Sequence, residues 1–166
     1  MPATHFCVPL GTQFLVDTKV LSQDELSARY HVAVERYVKT IEIELNTLVE
    51  MASVYIIPAV ETQLLKTGAV FKELVGPVVK DLHKERLAAL ESAYSDILTH
   101  HKTLIASINS VHVQTDEAKK MKALAASSLP VALKLREACD RSEGLVADDL
   151  WPLPKYREML FTNTLT

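Results

Sequence analysis

A chain of 166 residues is long enough to bury one sizeable core and short for two domains. Its 18 Lys and Arg against 21 Asp and Glu leave a formal net charge of -3 at pH 7, which argues against a basic nucleic-acid surface. Two cysteines, Cys7 and Cys139, are too few for a disulfide framework and read as reduced thiols of a cytoplasmic protein, while the N-terminus lacks a basic region followed by an apolar run and no later stretch reaches the roughly 20 contiguous apolar residues of a membrane span, so a soluble, unsecreted chain is expected.

Four glycines and a helical rather than alternating order of apolar residues make the chain all-α. Residues 1–21 read as an irregular lead-in. Ser22 followed by Glu25 has capping-box spacing and starts a helix near Gln23. From there Tyr30, Val34, Val38, Ile41, Leu45, Leu48, Ala52, Tyr55 and Ala59 recur at intervals of three and four, a buried seam, with Glu35 and Lys39 placed to pair at i,i+4 on the outer face. Pro58 interrupts the pattern and predicts a kink near Ile57, the helix resuming to about Lys66, with Leu64 and Leu65 extending the pattern to Gly68.

Val70, Phe71, Leu74 and Val75 open a second helical system broken at Gly76-Pro77, where Pro77 suits a first helical position. Beyond it Leu87, Leu90, Tyr94, Ile97, His101, Leu104, Ile108 and Val111 form a second seam over some 30 residues, roughly 45 to 50 Å. A third helix begins after Thr115, with Asp116 and Glu117 in its first turn. Its seam is Met121, Leu124, Ala125, Ser128, Val131, Leu135, Ala138, Cys139 and Ser142, kinked by Pro130, with Gly144 marking either its end or a brief interruption before Leu145 and Val146. Short connections between long helices predict an antiparallel bundle of three long, proline-kinked helices over residues 22–147. Residues 148–166 form the tail. Trp151 sits before Pro152, and Pro154 follows Leu153, so this stretch is extended; its apolar content predicts docking onto the bundle with Trp151 as the anchor.

Catalytic and metal chemistry finds no foothold in the pattern. There is no Glu-x-x-His and no His-Glu-x-x-His, and His100 and His101 diverge by about 100° around a helix. His101 lies on the seam and reads as a hydrogen-bonded core histidine. Gly11, Gly68, Gly76 and Gly144 are too scattered to cradle a phosphate. His83 beside Lys84, Glu85 and Arg86 is the nearest candidate for phosphotransfer, although those charges read better as a solvated face. Cys139 reads as a small buried hydrophobe rather than a reactive thiol. No catalytic, metal or cofactor-binding residue is expected.

Three segments carry a family resemblance. The first runs through Arg29-Tyr30, Glu35, Tyr37, Lys39, Ile41, Ile43-Glu44, Met51-Ala52 and Pro58-Ala59-Val60; the second is Leu129-Pro130, Leu135-Arg136, Asp140 and Leu145-Val146. The third is Trp151-Pro152-Leu153-Pro154-Lys155-Tyr156, closing on Leu160-Phe161. Together, over residues 20–161, they resemble the C-terminal helical region of type III glutamine synthetases. The chain lacks the β-rich active site with metal-binding carboxylates, histidine and arginines that such an enzyme needs. The resemblance implies a non-catalytic accessory or assembly domain, whose parent joins ammonia to glutamate with ATP and Mg2+ in a large homo-oligomer. It implies as partners the catalytic domain and neighbouring subunits, with no nucleic acid and no membrane, and as structural or interaction residues Arg29, Tyr30, Glu44, Pro58, Pro130, Arg136, Trp151, Pro152, Pro154, Tyr156 and Phe161. Glu44, one position from the seam, is expected in a partly buried ion pair or a subunit contact. The alternative is a freestanding helical protein–protein interaction module.

Overall fold

A computed structural model describes residues 12–154 and Glu158. Among the described residues there is no strand, and the helices follow in the order α1 (Gln13–Asp17), α2 (Gln23–Met51), α3 (Ile57–Glu73), α4 (Pro77–His112), α5 (Glu117–Ala123) and α6 (Leu129–Glu143), with π-helical turns at Ala52–Ile56 and Leu124–Ser128. The π turns join α2 to α3 and α5 to α6 without a break, so three long helices follow one short one.

Local chemistry sets most of the boundaries. The Ser22 side chain accepts from the Glu25 amide, and the Glu25 carboxylate accepts from the Ser22 amide, a complete capping box that also holds the Glu25 carboxyl below its usual pKa. Pro77 occupies the first turn of α4 after Gly76, whose ψ of 131° is the extended geometry that a following proline demands. Asp116 caps α5 by accepting from the Ala118 and Lys119 amides. α6 ends at Glu143, with Gly144 as its cap.

Several expectations need correction. The lead-in contains α1, closed where Lys19 adopts a left-handed φ of 59° and the Val20 and Leu21 amides both return to the Leu15 carbonyl. The first long helix does not stop near Gly68 but runs to Glu73, because an isolated glycine costs a helix only about 1 kcal/mol relative to alanine, whereas Gly76-Pro77 ends it outright. Lys39 reaches Glu42 at 3.9 Å rather than Glu35. Contiguity of apolar residues also undercounts the first helix. Gln23–Glu73 contains an 18-residue window of mean hydropathy 1.4, 28% of it buried, which by length and composition alone is apolar enough to cross a bilayer even though its apolar residues are not contiguous.

The π turns are the structural response to Pro58 and Pro130. The Ile57 amide bonds five residues back to the Ala52 carbonyl, and the Leu129 amide likewise to Leu124. The next residue in each case is the proline, which has no amide to offer the carbonyl four residues back. One extra residue is thus absorbed per turn. The register of the first seam changes accordingly: Tyr55, expected inside, is 47% exposed, while Ile56 is buried, and the line continues through Val60, Gln63 and Thr67. The middle helix contains no internal proline, so it has no counterpart to these turns.

Contacts between the long helices run in opposite order. Rising through α4, His83 meets the Thr67 carbonyl, Tyr94 meets Glu61, His101 meets the Val49 carbonyl and His112 lies against Glu42. On its other side Arg86 reaches the Leu145 carbonyl, Asp96 meets Arg141 and Ser107 meets Ser128. α5 packs chiefly on α2, and α6 on α4. The core therefore lies along α4, where Leu90, Ile97 and Leu104 are wholly buried and Ile97 and Leu104 share one apolar cluster with Val38, Val60, Leu124 and Leu135.

The capping box sits at an exposed helix start, so its contribution is separable from packing. Ser22→Ala should lower stability by about 1 kcal/mol with an unchanged denaturant m-value, measured by urea unfolding followed by circular dichroism.

Candidate interaction surface

Among the described residues no three His, Cys, Asp or Glu side chains could share a metal ion. Cys139 is buried on α6, and burial, aided by the neighbouring Asp140 carboxylate, pushes its thiol up to about 11. That is the opposite of what a nucleophile needs. His83 Nε2 lies 2.9 Å from the Thr67 carbonyl, and the ring stacks on Phe71, so the candidate for phosphotransfer is committed to closing the α3–α4 hairpin. The seam position of His101 resolves as a hydrogen bond of 3.2 Å from ring nitrogen to the Val49 carbonyl, a core histidine as read from the sequence.

Buried polar groups instead join the end of the third helix to the first. Gln63, only 7% exposed, accepts from the Ala147 amide through Oε1 at 3.0 Å and donates through Nε2 to Thr67 Oγ1 at 3.0 Å. Lys66 faces Asp149 at 3.7 Å, and the Leu150 and Trp151 amides return to the Ala147 carbonyl. These bonds turn the chain beyond Gly144 back over the ends of α3 and α4. Leu150, Trp151 and Leu153 are half-buried against the core, with Pro152 and Pro154 exposed between and after them. Nothing in the sequence pattern singles out Gln63, because a glutamine at a seam position of a helix looks like a solvated residue until its partner is known.

The residues carried by the resemblance are mostly on the outside. Arg29 is exposed and Tyr30 half-buried against the core; Glu44 is exposed, and no ion pair reaches it among the described residues, so the partly buried pair expected for it does not form there. Pro58 and Pro130 are exposed in the first turns of α3 and α6, and Arg136 is exposed with Asp140 at 3.8 Å, one helical turn away. Tyr156 and Phe161 lie outside the described residues. These positions do not converge on a cleft. Arg29 does border a shallow groove along α2 with Val32, Arg36 and Tyr37.

What the surface offers is unpartnered apolar area. On the first helix Val32 and Ile43, eleven residues or about three turns apart, are each 66% exposed, and Val54 and Leu65 continue the series at the same spacing. A second group gathers at the α3–α4 turn, where Val75, Val78 and Leu82 are all more than 60% exposed. Large aliphatic side chains grouped on an outer face are the kind of surface that protein contacts use.

Comparison with known proteins agrees with the family resemblance. Residues 4–72 match the family model of the glutamine synthetase C-terminal domain. The chain is 27% identical over 166 aligned residues to a glutamine synthetase of Bacteroides fragilis (strain YCH46), covering 96% of this chain and 23% of that protein. It is also 27% identical over 156 residues to a type-3 glutamine synthetase of Dictyostelium discoideum, covering 87% of this chain and 21% of that one. The chain thus spans less than a quarter of the length of either relative, and the resemblance to the C-terminal helical region of type III glutamine synthetases holds.

The state of Cys139 has a consequence for stability. With a folded pKa of about 11 against an ordinary 9.0, the thiol keeps its proton in the folded state while the unfolded chain loses it. Its contribution is therefore full below pH 9 and lost as pH rises through 11. Between pH 9 and 11 the stability of the native protein should fall more steeply than that of Cys139→Ala, measured by denaturant midpoints at half-unit intervals.

Proposed function

We propose that this chain is a non-catalytic accessory and assembly domain of a type III glutamine synthetase. Its helices are an antiparallel, proline-interrupted bundle, its tail docks through Trp151, and its apolar outer face packs against the catalytic domain or neighbouring subunits of a cytoplasmic homo-oligomer. The parent reaction would be ATP-dependent ligation of ammonia to glutamate in nitrogen assimilation, with ATP and Mg2+ bound by the catalytic part. The observation that carries this reading is a conjunction: two synthetases match 96% and 87% of the chain while it spans under a quarter of either, and its described surface presents large aliphatic side chains.

The isolated chain should release no phosphate above a protein-free control when supplied with glutamate, ammonia, ATP and Mg2+ in a coupled assay. An antibody raised against it should detect, in denatured extract of its natural source, a polypeptide several times longer than 166 residues. Turnover by the isolated chain would overturn the accessory role. Detection of a polypeptide no longer than this chain would favour a freestanding interaction module instead.

The docked tail has its own test, because Trp151 is the sole tryptophan. Half-buried against the core, it should emit at shorter wavelength under native conditions than in denaturant and be partly shielded from acrylamide. Trp151→Ala should cost about 1.5 to 3 kcal/mol in urea unfolding, below the 3 to 5 of a fully buried tryptophan and above the 0.5 of a free surface site. Water-like emission and unhindered quenching in the native chain would mean that the tail is loose.

A further inference from the structure

Two exposed stripes of opposite charge lie far apart on the molecule. On α2, Arg29, Val32 and Arg36 follow at intervals of three and four and share one face, with Ala28 and Ala33 beside them along the shallow groove. Val32, 66% exposed, stands two residues before buried Val34, and Arg36 stands two after it, so the stripe points away from the core. No ion pair reaches Arg29 or Arg36 among the described residues. Glu25, which lines the same groove, has its carboxylate held by the Ser22 amide and hydroxyl.

The second stripe opens α4, where Val78, Asp81, Leu82 and Glu85 follow at intervals of three, one and three and again share a face. Val78 is 71% and Leu82 63% exposed. Asp81 and Glu85 stand two residues to either side of His83, whose ring meets the Thr67 carbonyl, so both carboxylates point away from α3. The cations nearby are turned elsewhere: Lys80 stands over the Phe71 ring at 5.5 Å from its centroid, and Arg86 reaches the Leu145 carbonyl. No ion pair, from Lys84 or any other described residue, reaches Asp81 or Glu85.

The contact of His83 with Thr67 sets the second stripe level with Thr67, roughly 50 Å along the α2–α3 helix from Val32. One copy cannot bring its own two stripes together. Nor can two copies satisfy both stripes in one reciprocal pair, because the α2 stripe faces away from the core and the α4 stripe away from α3. We propose that the Arg29–Val32–Arg36 stripe of one copy docks on the Val78–Asp81–Leu82–Glu85 stripe of the next, Val32 meeting the aliphatic side chains and the two guanidinium groups meeting the two carboxylates. Such a contact is head-to-tail and builds a row or a ring of copies. The inference rests on the assembly role given above and not on the link to a synthetase.

Sedimentation velocity on the full chain tests the contact. A few side chains from each copy make a small interface beside the roughly 800 Å² per partner of a standard one, so the isolated chain associates weakly, and several such contacts in one assembly reinforce one another. The weight-average sedimentation coefficient should rise between micromolar and millimolar concentration and pass that of a dimer. Arg29→Glu with Arg36→Glu sets acid against acid, and Asp81→Arg with Glu85→Arg sets cation against cation; each pair should weaken association about tenfold or more, with circular dichroism confirming that the helices persist. Mixed in equal amounts, the two variants should assemble again, since every stripe then meets its opposite. A chain that stays monomeric to millimolar concentration overturns the inference, as does assembly that stops at a dimer, survives either reversal or fails to return on mixing. The phosphate-release assay keeps the two claims apart: a monomeric chain without turnover preserves the accessory role and removes the proposed contact.

Discussion

Everything in the chain is arranged around the need of α4 to be covered on two sides. Leu90, Ile97 and Leu104 are spaced seven residues apart and have no accessible surface, yet α4 is a single helix with exposed residues on its remaining face. One neighbour can cover only part of such a stripe. The α2–α3 helix covers one flank and α6 the other, and truncating Ile97 or Leu104 would open a cavity in the apolar cluster they share with both. The polar contacts follow from this placement. Tyr94 donates to Glu61, which raises the phenol pKa, and Arg141 pairs with Asp96; both are exposed links at the margins of the covered stripe. They specify register more than they add stability.

Register is also where the two prolines act. A proline in a packed helix removes a hydrogen bond and pushes against the preceding turn, a cost of about 3 kcal/mol or more in a regular helix. The π turns at Ala52–Ile56 and Leu124–Ser128 redistribute that loss by letting the preceding residue bond five positions back. Both turns face the central part of α4, near His101 and Ser107. Ser128, wholly buried, spends its hydroxyl on Ser107 at 2.7 Å, so even the side chains of the irregular turn are satisfied.

The sequence made the local features legible and the relational ones obscure. Ser22 with Glu25, Gly76 with Pro77 and Asp116 ahead of Glu117 each state a helix boundary through chemistry contained within four residues. The α4 seam was readable throughout because nothing interrupts its period. The α2–α3 seam is readable through Ala52 and again at Ala59, but not across the π turn between them, since its inserted residue leaves no trace in composition; the period points Tyr55 inward where Ile56 is buried. α1 was hidden because five residues are too few to show a period. Of the residues that hold the chain beyond Gly144, Trp151 stands out by size and by its prolines, whereas Gln63 does not, its role being defined by an amide 84 residues away. The exposed valines near Pro77 were legible as helix and not as surface, because which side of a helix is left uncovered depends on the neighbours it acquires. The partly buried ion pair expected of Glu44 is missing for the same reason: one position from the seam, the residue is exposed.

The hydrogen bond between Gln63 and Ala147 also orders events in time. The contact of His83 with Thr67 closes a loop of 16 residues, and that of Gln63 with Ala147 one of 84. Loop-closure entropy grows as three-halves of RT times the logarithm of length, so the longer closure costs about 1.5 kcal/mol more before any contact rewards it. Helical hairpins built from neighbouring segments can therefore assemble while the chain beyond Gly144 is still free, and the fold is completed when that segment fastens the last helix to the first. The same asymmetry runs in reverse. The amide of Ala147, held by one side chain at the edge of the molecule, belongs to the part of the structure that opens first, and its exchange with solvent would record the release of the clasp while the stripe along α4 still holds.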